Sequence, residues 1–257
     1  EYCAAMRALI EGDASIHEEN WFFNLATDED RQQVFEFYSS YSSPVYDAAP
    51  DYLKEDFLFP YQQGAEFVEY IIAEGGPEAL TTAYTTTRPQ STEQILHPEK
   101  YPDDRPIPIY LPDVTLALGP DWREVDRNVM GEWYTYLILG FGANEDARVD
   151  VDTAADAAAG WAGDGYLYLW NDTTSQPALV WLTEWETARD TGEFWDALTE
   201  YGQVRWGPPS DRSNDEWEWE DTPDGNIRLE RTSDNVLWLM APDSEAMDQI
   251  RDMVGIE

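Results

Sequence analysis

Residues 166–185 read YLYLWNDTTSQPALVWLTEW, two runs of aromatic and branched side chains separated by a polar segment. Runs of this composition are typical of short antiparallel β-strands. Three similar runs follow, at residues 216–220, 227–231 and 236–240. Helices are predicted at 189–201 and from Pro242 through Val254. The second half of the chain is therefore predicted to be a small antiparallel sheet packed with helices.

Residues 1 to about 100 have helical periodicity instead. Met6, Leu9, Ile10 and Ile16 recur at helical spacing, and a second helix is predicted from Asp28. Further helices are predicted at 52–59 and 61–73, and Gly75-Gly76-Pro77 is expected to end the last of them. A helical half followed by a sheet with helices gives the fold class α+β.

Three regions are predicted along the chain. Residues 1–101 form a helical region, 102–125 a proline-rich connection, and 126–257 an α+β region that begins with a helix over 126–139. Ser91-Thr92-Glu93-Gln94 has the form of a capping box, with Ser at the N-cap and Gln three residues on. It predicts a short helix that Pro98 ends.

The charge balance excludes some classes of partner. Fifty-three Asp and Glu stand against fifteen Lys and Arg, a formal net charge of −38 on 257 residues. Binding to nucleic acid or to an anionic membrane surface is not expected, because no basic patch exists to release counterions. Inorganic cations at the acidic surface and a protein partner are the expected partners. The sequence contains no run of about 20 apolar residues, so no membrane span is predicted.

The same charge indicates a salt-rich environment. Self-repulsion of such a surface strains the compact state in dilute buffer, whereas at about 1 M salt the Debye length falls to about 3 Å and most repulsion is screened. The basic residues include only two Lys, Lys54 and Lys100. A content of 42% hydrophobic and 14% aromatic residues argues against disorder. We expect a folded protein from an archaeal or bacterial halophile.

Few residues are available for chemistry. The chain has two His, a single Cys and no glycine-rich phosphate loop, so neither Cys-His catalysis nor a classical nucleotide site is predicted. Residues 17–21, HEENW, begin like the zinc-binding HExxH helix, but Trp21 stands where the second His is required. His17 is therefore predicted to be a surface residue among carboxylates.

Four short motifs occur in an order that resembles a known family. They are Glu11-Gly12-Asp13-Ala14, the run from Ser91 to Tyr101 (STEQILHPEKY), Gly131-Glu132, and residues 158–164 (AAGWAGD). Over about residues 1 to 200 the chain resembles a family of extracytoplasmic, gluzincin-like metallopeptidase relatives found in bacteria and haloarchaea. The eleven-residue run is the most specific of the four.

The resemblance implies a zinc site and a location outside the cytoplasm, at the cell surface or secreted. In that family a helix with HExxH precedes the Glu-Gly-Asp-Ala helix, whose Glu is the third zinc ligand. Glu11 takes that position here, Asp13 would orient a ligand, and His97 would stabilise an oxyanion. The HExxH helix does not occur in these residues, so zinc is expected only where such a helix precedes Glu1 in a longer chain.

Each of these residues also has a structural interpretation. Glu11 and Gly12 can belong to a close helix contact, Asp13 can cap or face solvent, and His97 can be a hydrogen-bonded strut. Trp161 is predicted to be a core anchor and Asp164 a backbone acceptor. Two functions stay open: a noncatalytic surface or assembly protein with a metallopeptidase-like fold, and a zinc-dependent peptidase completed by an upstream helix.

Overall fold

The computed structural model describes residues 1–256 in two structural units, the first ending at Arg105 and the second beginning at Pro106. This boundary falls inside the predicted connection 102–125. The helical first half and the antiparallel sheet of the second confirm the predicted α+β class. No helix in residues 1–256 combines the length and apolar composition that crossing a bilayer requires.

The first unit is helical throughout. Its elements are α1 (Tyr2–Asn20), which continues into a π-helical turn (Trp21–Leu25), α2 (Asp28–Ser40), α3 (Pro44–Asp47), α4 (Asp51–Thr85), α5 (Thr92–Leu96) and a 3₁₀ turn (Pro98–Lys100). The core lies between α1 and α4, where small side chains of α1 face large ones of α4. The hydrophobic residues of these two helices that are completely buried are Ala5, Ala8, Leu9, Phe67, Val68 and Ala83.

The long helix α4 corrects the predicted end at Gly75-Gly76-Pro77. Gly76 adopts φ 70° and ψ −175°, so the chain kinks there, but it resumes helical geometry and runs on to Thr85. Pro77 follows the kink directly, at the start of the resumed helix, where a proline without an N–H is tolerated. The continuation brings Tyr84 to α1.

Helix α2 runs for thirteen residues without a buried side chain, unlike the other long helix of the first unit that follows it, α4. A capping box at Thr27 and Asp30 fixes its start: the Asp30 amide donates to Thr27 Oγ1 at 3.2 Å, and the Thr27 amide donates to Asp30 Oδ2 at 2.9 Å. Arg31 adds a hydrogen bond to the Phe22 carbonyl, 3.0 Å away. Local contacts of this kind, and not core packing, define the helix.

The second unit contains a seven-stranded antiparallel sheet in the order β1-β2-β3-β7-β6-β5-β4. The strands are β1 (Trp122–Asn128), β2 (Trp161–Asn171), β3 (Gln176–Trp185), β4 (Asp211–Arg212), β5 (Glu216–Thr222), β6 (Gly225–Arg231) and β7 (Asn235–Ala241). The quoted segment 166–185 forms the β2–β3 pair, with Tyr166 opposite Trp181. Two hairpins are joined through the central β3–β7 pair, in which Trp181 faces Trp238.

Helices cover both faces of this sheet. They are α6 (Thr115–Leu118), α7 (Gly131–Phe141), α8 (Val151–Ala158), α9 (Ala188–Trp206) and α10 (Ser244–Val254). Alternate residues of β7 point to opposite sides, so Trp238 packs in a tryptophan-rich core with α7, α8 and α9, whereas Leu237 and Leu239 pack with α10. The central strands are therefore buried on both faces.

Two details of the second unit differ from the predictions. The predicted helix 126–139 is wrong at its start, because residues through Asn128 belong to β1 and the helix begins at Gly131. The proline-rich connection also joins the second unit. The Ile107 amide donates to the Ala162 carbonyl at 2.7 Å, and Leu111 and Val114 are buried under the sheet.

Candidate functional site

The Glu-Gly-Asp motif on α1 lies at the closest approach of two helices. Gly12 is buried against Gly64 of α4, and a Cβ placed on Gly12 would lie 2.1 Å from the carbonyl carbon and oxygen of Gly64. A Cβ on Gly64 would in turn meet the Ala8 carbonyl oxygen at 2.2 Å. Both positions therefore require glycine, which explains Gly12 by packing alone.

Asp13 connects α1 to the end of α4. Its carboxylate accepts a hydrogen bond from Tyr84 Oη at 2.9 Å and lies 3.3 Å from His17 Nε2, one helical turn further along α1. Burial, together with this hydrogen bond and the negative charge of Asp13, raises the pKa of Tyr84 to about 12. The structure thus places Asp13 in a helix–helix contact.

Glu11 is half-buried on α1. Within residues 1–256 its carboxylate makes no hydrogen bond or ion pair with another side chain or with the backbone. A compensating cation or donor is expected for a carboxylate that is fully removed from water. The half-buried position shows that Glu11 keeps part of its hydration.

His97 follows α5 and closes it. Its backbone amide donates to the Glu93 carbonyl at 2.7 Å, and its imidazole Nδ1 lies 3.9 Å from Glu99 Oε1. The imidazole is about one third exposed, with 30% of the side-chain surface accessible. The position is that of a helix-end residue beside an acidic neighbour.

The run from Ser91 to Tyr101 is held by a network of polar contacts. Ser91 Oγ accepts from the Gln94 amide at 3.2 Å, as the capping box predicts, but the Gln94 side chain accepts from the Gln90 amide at 2.7 Å instead of from Ser91. Buried Glu93 is paired with Lys100 Nζ at 2.7 Å. These contacts give Ser91, Gln94, Glu93 and Lys100 of the most specific motif structural roles, so no catalytic role is needed to explain them.

The ends of the run are tied to the two long helices. The Thr92 hydroxyl donates to the Glu1 carboxylate at 3.0 Å, at the start of α1. Tyr101 packs edge-on against Phe67 of α4, with ring centroids 5.1 Å apart, and its hydroxyl bonds Thr87 at 2.7 Å. Burial raises the pKa of Tyr101. The run therefore holds α1 and α4 together at one end of the first unit.

In the second unit, two motifs that are distant in sequence meet at the start of α7. The buried Asp164 carboxylate accepts from the Met130 amide at 2.9 Å, the Gly131 amide at 2.7 Å and Trp161 Nε1 at 2.9 Å. The N-terminus of a helix favours a negative charge at this point. Burial nevertheless raises the pKa of Asp164, against the opposing effect of these donors. The predicted roles of Trp161 as core anchor and Asp164 as backbone acceptor agree with this geometry.

A polar cleft of about 620 Å³, which no sequence motif predicted, lies beside α9. Arg231 lies over the Trp195 ring at 5.0 Å and pairs with Asp215 at 3.0 Å, while Arg212 lies over Trp217 at 5.6 Å. Cation–π contacts hold both guanidinium groups against the aromatic side chains that line the cleft. The lining contains neither His nor Cys, so the cleft has no pair of a nucleophile and a neutral-pH base.

The residues of the first unit do not fit the zinc site that the resemblance implies. In residues 1–105 no three His, Cys, Asp or Glu side chains bring one ligand atom each within 4.8 Å of one another. Structural zinc requires four ligands and catalytic zinc three with an open position. Glu11, Asp13 and His97 therefore do not form a metal centre on their own.

Comparison with known proteins identifies one family. Neither the curated proteins nor the solved structures include a match to the chain. Residues 117–251, just over half of the 257 residues, match a family described as a domain of unknown function, DUF8575. This match lies within the second unit and spans its sheet from β1 to β7. The chain belongs to the DUF8575 family.

Proposed function

We propose that this chain is a noncatalytic assembly protein of a halophile, related in fold to the gluzincin-like metallopeptidases. The observation that carries the proposal is the exposed aromatic surface of α2 and its surroundings, in a helix with no buried residue. Exposed apolar patches of this kind mark interaction sites on soluble proteins. The sheet is a poorer candidate for contacts, because its tryptophans Trp161, Trp181, Trp185, Trp219 and Trp238 are buried.

The residues expected to perform catalysis support the same proposal. Asp13 binds Tyr84, His97 ends a helix beside Glu99, and Glu11 lies next to Gly12, which serves helix packing. Asp13 and His97 thus have structural roles that account for their place in the motifs. The polar cleft of the second unit lacks a His or Cys as well.

The acidic surface supports function in concentrated salt. With a formal net charge of −38, the folded protein holds a dense layer of inorganic cations, its expected small partners. A location at the cell surface or outside the cell follows from the resemblance to extracytoplasmic proteins. Release of the protein from intact cells by an external protease would support this location, and protection until lysis would contradict it.

A zinc-dependent peptidase is the second candidate, favoured by the half-buried Glu11 carboxylate that has no partner in residues 1–256. It applies to a longer chain with an HExxH helix before Glu1. Zinc content of such a chain, measured with Glu11 and with Glu11→Gln, tests it. Loss of zinc in the variant, with the circular dichroism spectrum unchanged, would favour the peptidase, whereas equal content would remove Glu11 as a ligand.

Hydrolysis of a mixed peptide library tests the noncatalytic proposal directly. The 257-residue chain in concentrated KCl is expected to cleave no peptide, with or without added zinc. Glu11→Gln serves as the matched control for any background cleavage by a contaminant. Cleavage that a chelator abolishes, zinc restores and Glu11→Gln lacks would overturn the proposal.

A further inference from the structure

A stretch almost without charge crosses the exposed face of the first unit. Residues 32–46 contain one charged residue, Glu36, whereas the chain average of 26% would place about four among fifteen. The stretch covers most of α2, the loop after it and the start of α3. In so acidic a chain, it is a surface where another acidic molecule can approach without strong repulsion.

Four aromatic side chains in this stretch are exposed, and three of them touch. Phe35, Phe37, Tyr38 and Tyr41 are each between 59% and 72% exposed. The Phe37 ring centroid lies 5.3 Å from that of Tyr38 and 5.7 Å from that of Tyr41, within the range of aromatic pairs. Phe37, Tyr38 and Tyr41 therefore form one exposed cluster at the end of α2, and Phe35 lies exposed three residues before Tyr38 on the same helix.

A second aromatic group follows on α3 and α4. Phe57, 58% exposed, packs against Tyr46 at 5.7 Å and Tyr61 at 6.0 Å. Phe23 and Leu25, in the turn before α2, are each 70% exposed. We call the side chains Phe23, Leu25, Phe35, Phe37, Tyr38, Tyr41 and Phe57 the aromatic face.

The summed exposed area of the side chains in the aromatic face is comparable with one side of a protein–protein interface. Its six rings are on average nearly two thirds exposed, and at roughly 200 Å² for each aromatic side chain they present roughly 750 Å². A standard interface buries about 800 Å² on each partner. A helix of thirteen residues without core contacts is also marginally stable in water, so α2 gains stability when this face is covered.

We infer that the aromatic face binds the same face of a second copy of this chain, forming a two-fold symmetric dimer. This inference rests on the proposed assembly function and names its partner. A two-fold contact places each surface against itself, so a face of aromatic rings meets aromatic rings. Glu36 is the one charge that the stretch 32–46 brings into the contact, whereas contact elsewhere on a chain of −38 would oppose many carboxylates.

The dimer is expected to strengthen with salt. Screening reduces the repulsion between two acidic chains, and salts excluded from the surface favour apolar burial. Sedimentation or light scattering over about 1–100 µM protein, at about 0.3 and 3 M KCl, measures the association. Twice the mass of one chain is expected at the higher salt. A single-chain mass throughout that range would overturn the inference, even where the protein binds no substrate and cleaves nothing.

Substitutions locate the contact. The double variant Phe35→Ser and Phe37→Ser changes exposed positions and is expected to raise the dissociation constant at least about tenfold. The matched control, Tyr110→Ser and Leu116→Ser, removes side chains 87% and 78% exposed in the second unit and should leave it unchanged. If the control substitutions weaken the dimer and the α2 substitutions do not, the contact lies elsewhere and the inference is refuted.

Hydrogen exchange on the unaltered protein gives an independent measurement. The amides of α2 should become more protected as the protein concentration rises, because dimerisation covers the helix. Amides of α9, in the second unit, serve as the internal reference. Equal α2 exchange in dilute and concentrated protein would contradict a contact at this face, whatever the mass.

Discussion

Gly12 and Gly64 pack backbone to backbone where α1 meets α4, so closely that a Cβ on Gly12 would come within 2.1 Å of the Gly64 carbonyl group. No real Cβ sits at such a distance, and the obstructing atoms are main chain. Helix α1 would have to move away from α4 to admit a methyl group. The core residues beside this contact, such as Leu9 and Phe67, would lose their packing with it.

Gly12→Ala should therefore destabilise the first unit by about 3 kcal/mol, the upper part of the range for overpacking. Gly192→Ala is the control, because Gly192 lies within α9 with no atom near its Cβ position. There the greater helix propensity of Ala should leave stability unchanged or raise it by up to about 1 kcal/mol. Urea unfolding followed by circular dichroism measures both. Equal stability of the two variants would contradict the close contact.

The sequence predicted the parts of the fold that depend on local pattern. The runs of aromatic and branched residues became β2, β3 and β5 to β7. Strand β1 was missed because its residues 122–128, WREVDRN, form an exposed edge strand, in which charged side chains face solvent and no apolar run develops. Local pattern identifies buried strands better than edge strands.

The candidate site was less predictable because its contacts join distant residues. Tyr84 reaches Asp13 across 71 positions only because the helix resumes after the kink at Gly76, where the sequence favours a stop. Asp164 reaches Gly131 across 33 positions through the fold of the sheet and α7. The order of the motifs singled out Asp13, Gly131 and Asp164, but the partners of their side chains and amides depend on tertiary packing.

Stability should rise with salt concentration. At a net charge of −38, repulsion within the folded protein is strong while the Debye length is about 10 Å, at about 0.1 M KCl, and is largely screened at about 3 Å, near 1 M. The melting temperature should therefore climb steeply up to about 1 M KCl and more slowly to about 3 M. Sucrose at matched water activity, which does not screen charge, is the control. A melting temperature that is flat or falls with KCl would remove the halophilic assignment.

Tyr84→Phe should destabilise the first unit by about 1–2 kcal/mol near neutral pH, because the Asp13 carboxylate loses a hydrogen bond at 2.9 Å. The control is Tyr110→Phe, since Tyr110 is 87% exposed and should tolerate the change. The pKa of Tyr84 is raised from 10.0 to about 12 in the folded state. Its contribution is therefore complete below pH 10 and is lost as the pH rises towards 12.

The difference between Tyr84→Phe and the unaltered protein should accordingly shrink over that alkaline range. Unfolding at a series of pH values, with the Tyr110→Phe variant measured alongside, isolates the effect from the ionisation of other tyrosines. A difference that stays constant from neutral pH to about 12 would show that the Tyr84 hydroxyl does not hold its proton through the Asp13 contact.

Asp164→Asn tests which of two opposing effects controls the buried carboxyl at the start of α7. The Met130 and Gly131 amides and Trp161 Nε1 favour the ionised form, whereas burial disfavours it and raises the pKa above its ordinary value of 3.8. An Asn side chain keeps one acceptor oxygen but turns an NH₂ group towards N–H donors. The variant should lose about 1–3 kcal/mol, the cost of unsatisfied buried groups. Asp196→Asn is the matched control, because Asp196 is exposed on α9 and its carboxylate makes no hydrogen bond or ion pair within residues 1–256.

The pH dependence of the stability lost in Asp164→Asn shows whether burial or the three donors control the pKa of Asp164. With a raised folded-state pKa, the unaltered protein has the full contribution of Asp164 below about pH 3.8 and loses part of it as the pH rises through the raised value. Asn does not titrate, so the deficit of Asp164→Asn should be largest in acid and smaller near neutral pH. Urea unfolding of the two proteins between about pH 3 and 7, in KCl concentrated enough to screen the other carboxylates, measures the deficit directly. If the deficit grows with pH, the three donors outweigh burial, and Asp164 holds the start of α7 as a carboxylate throughout.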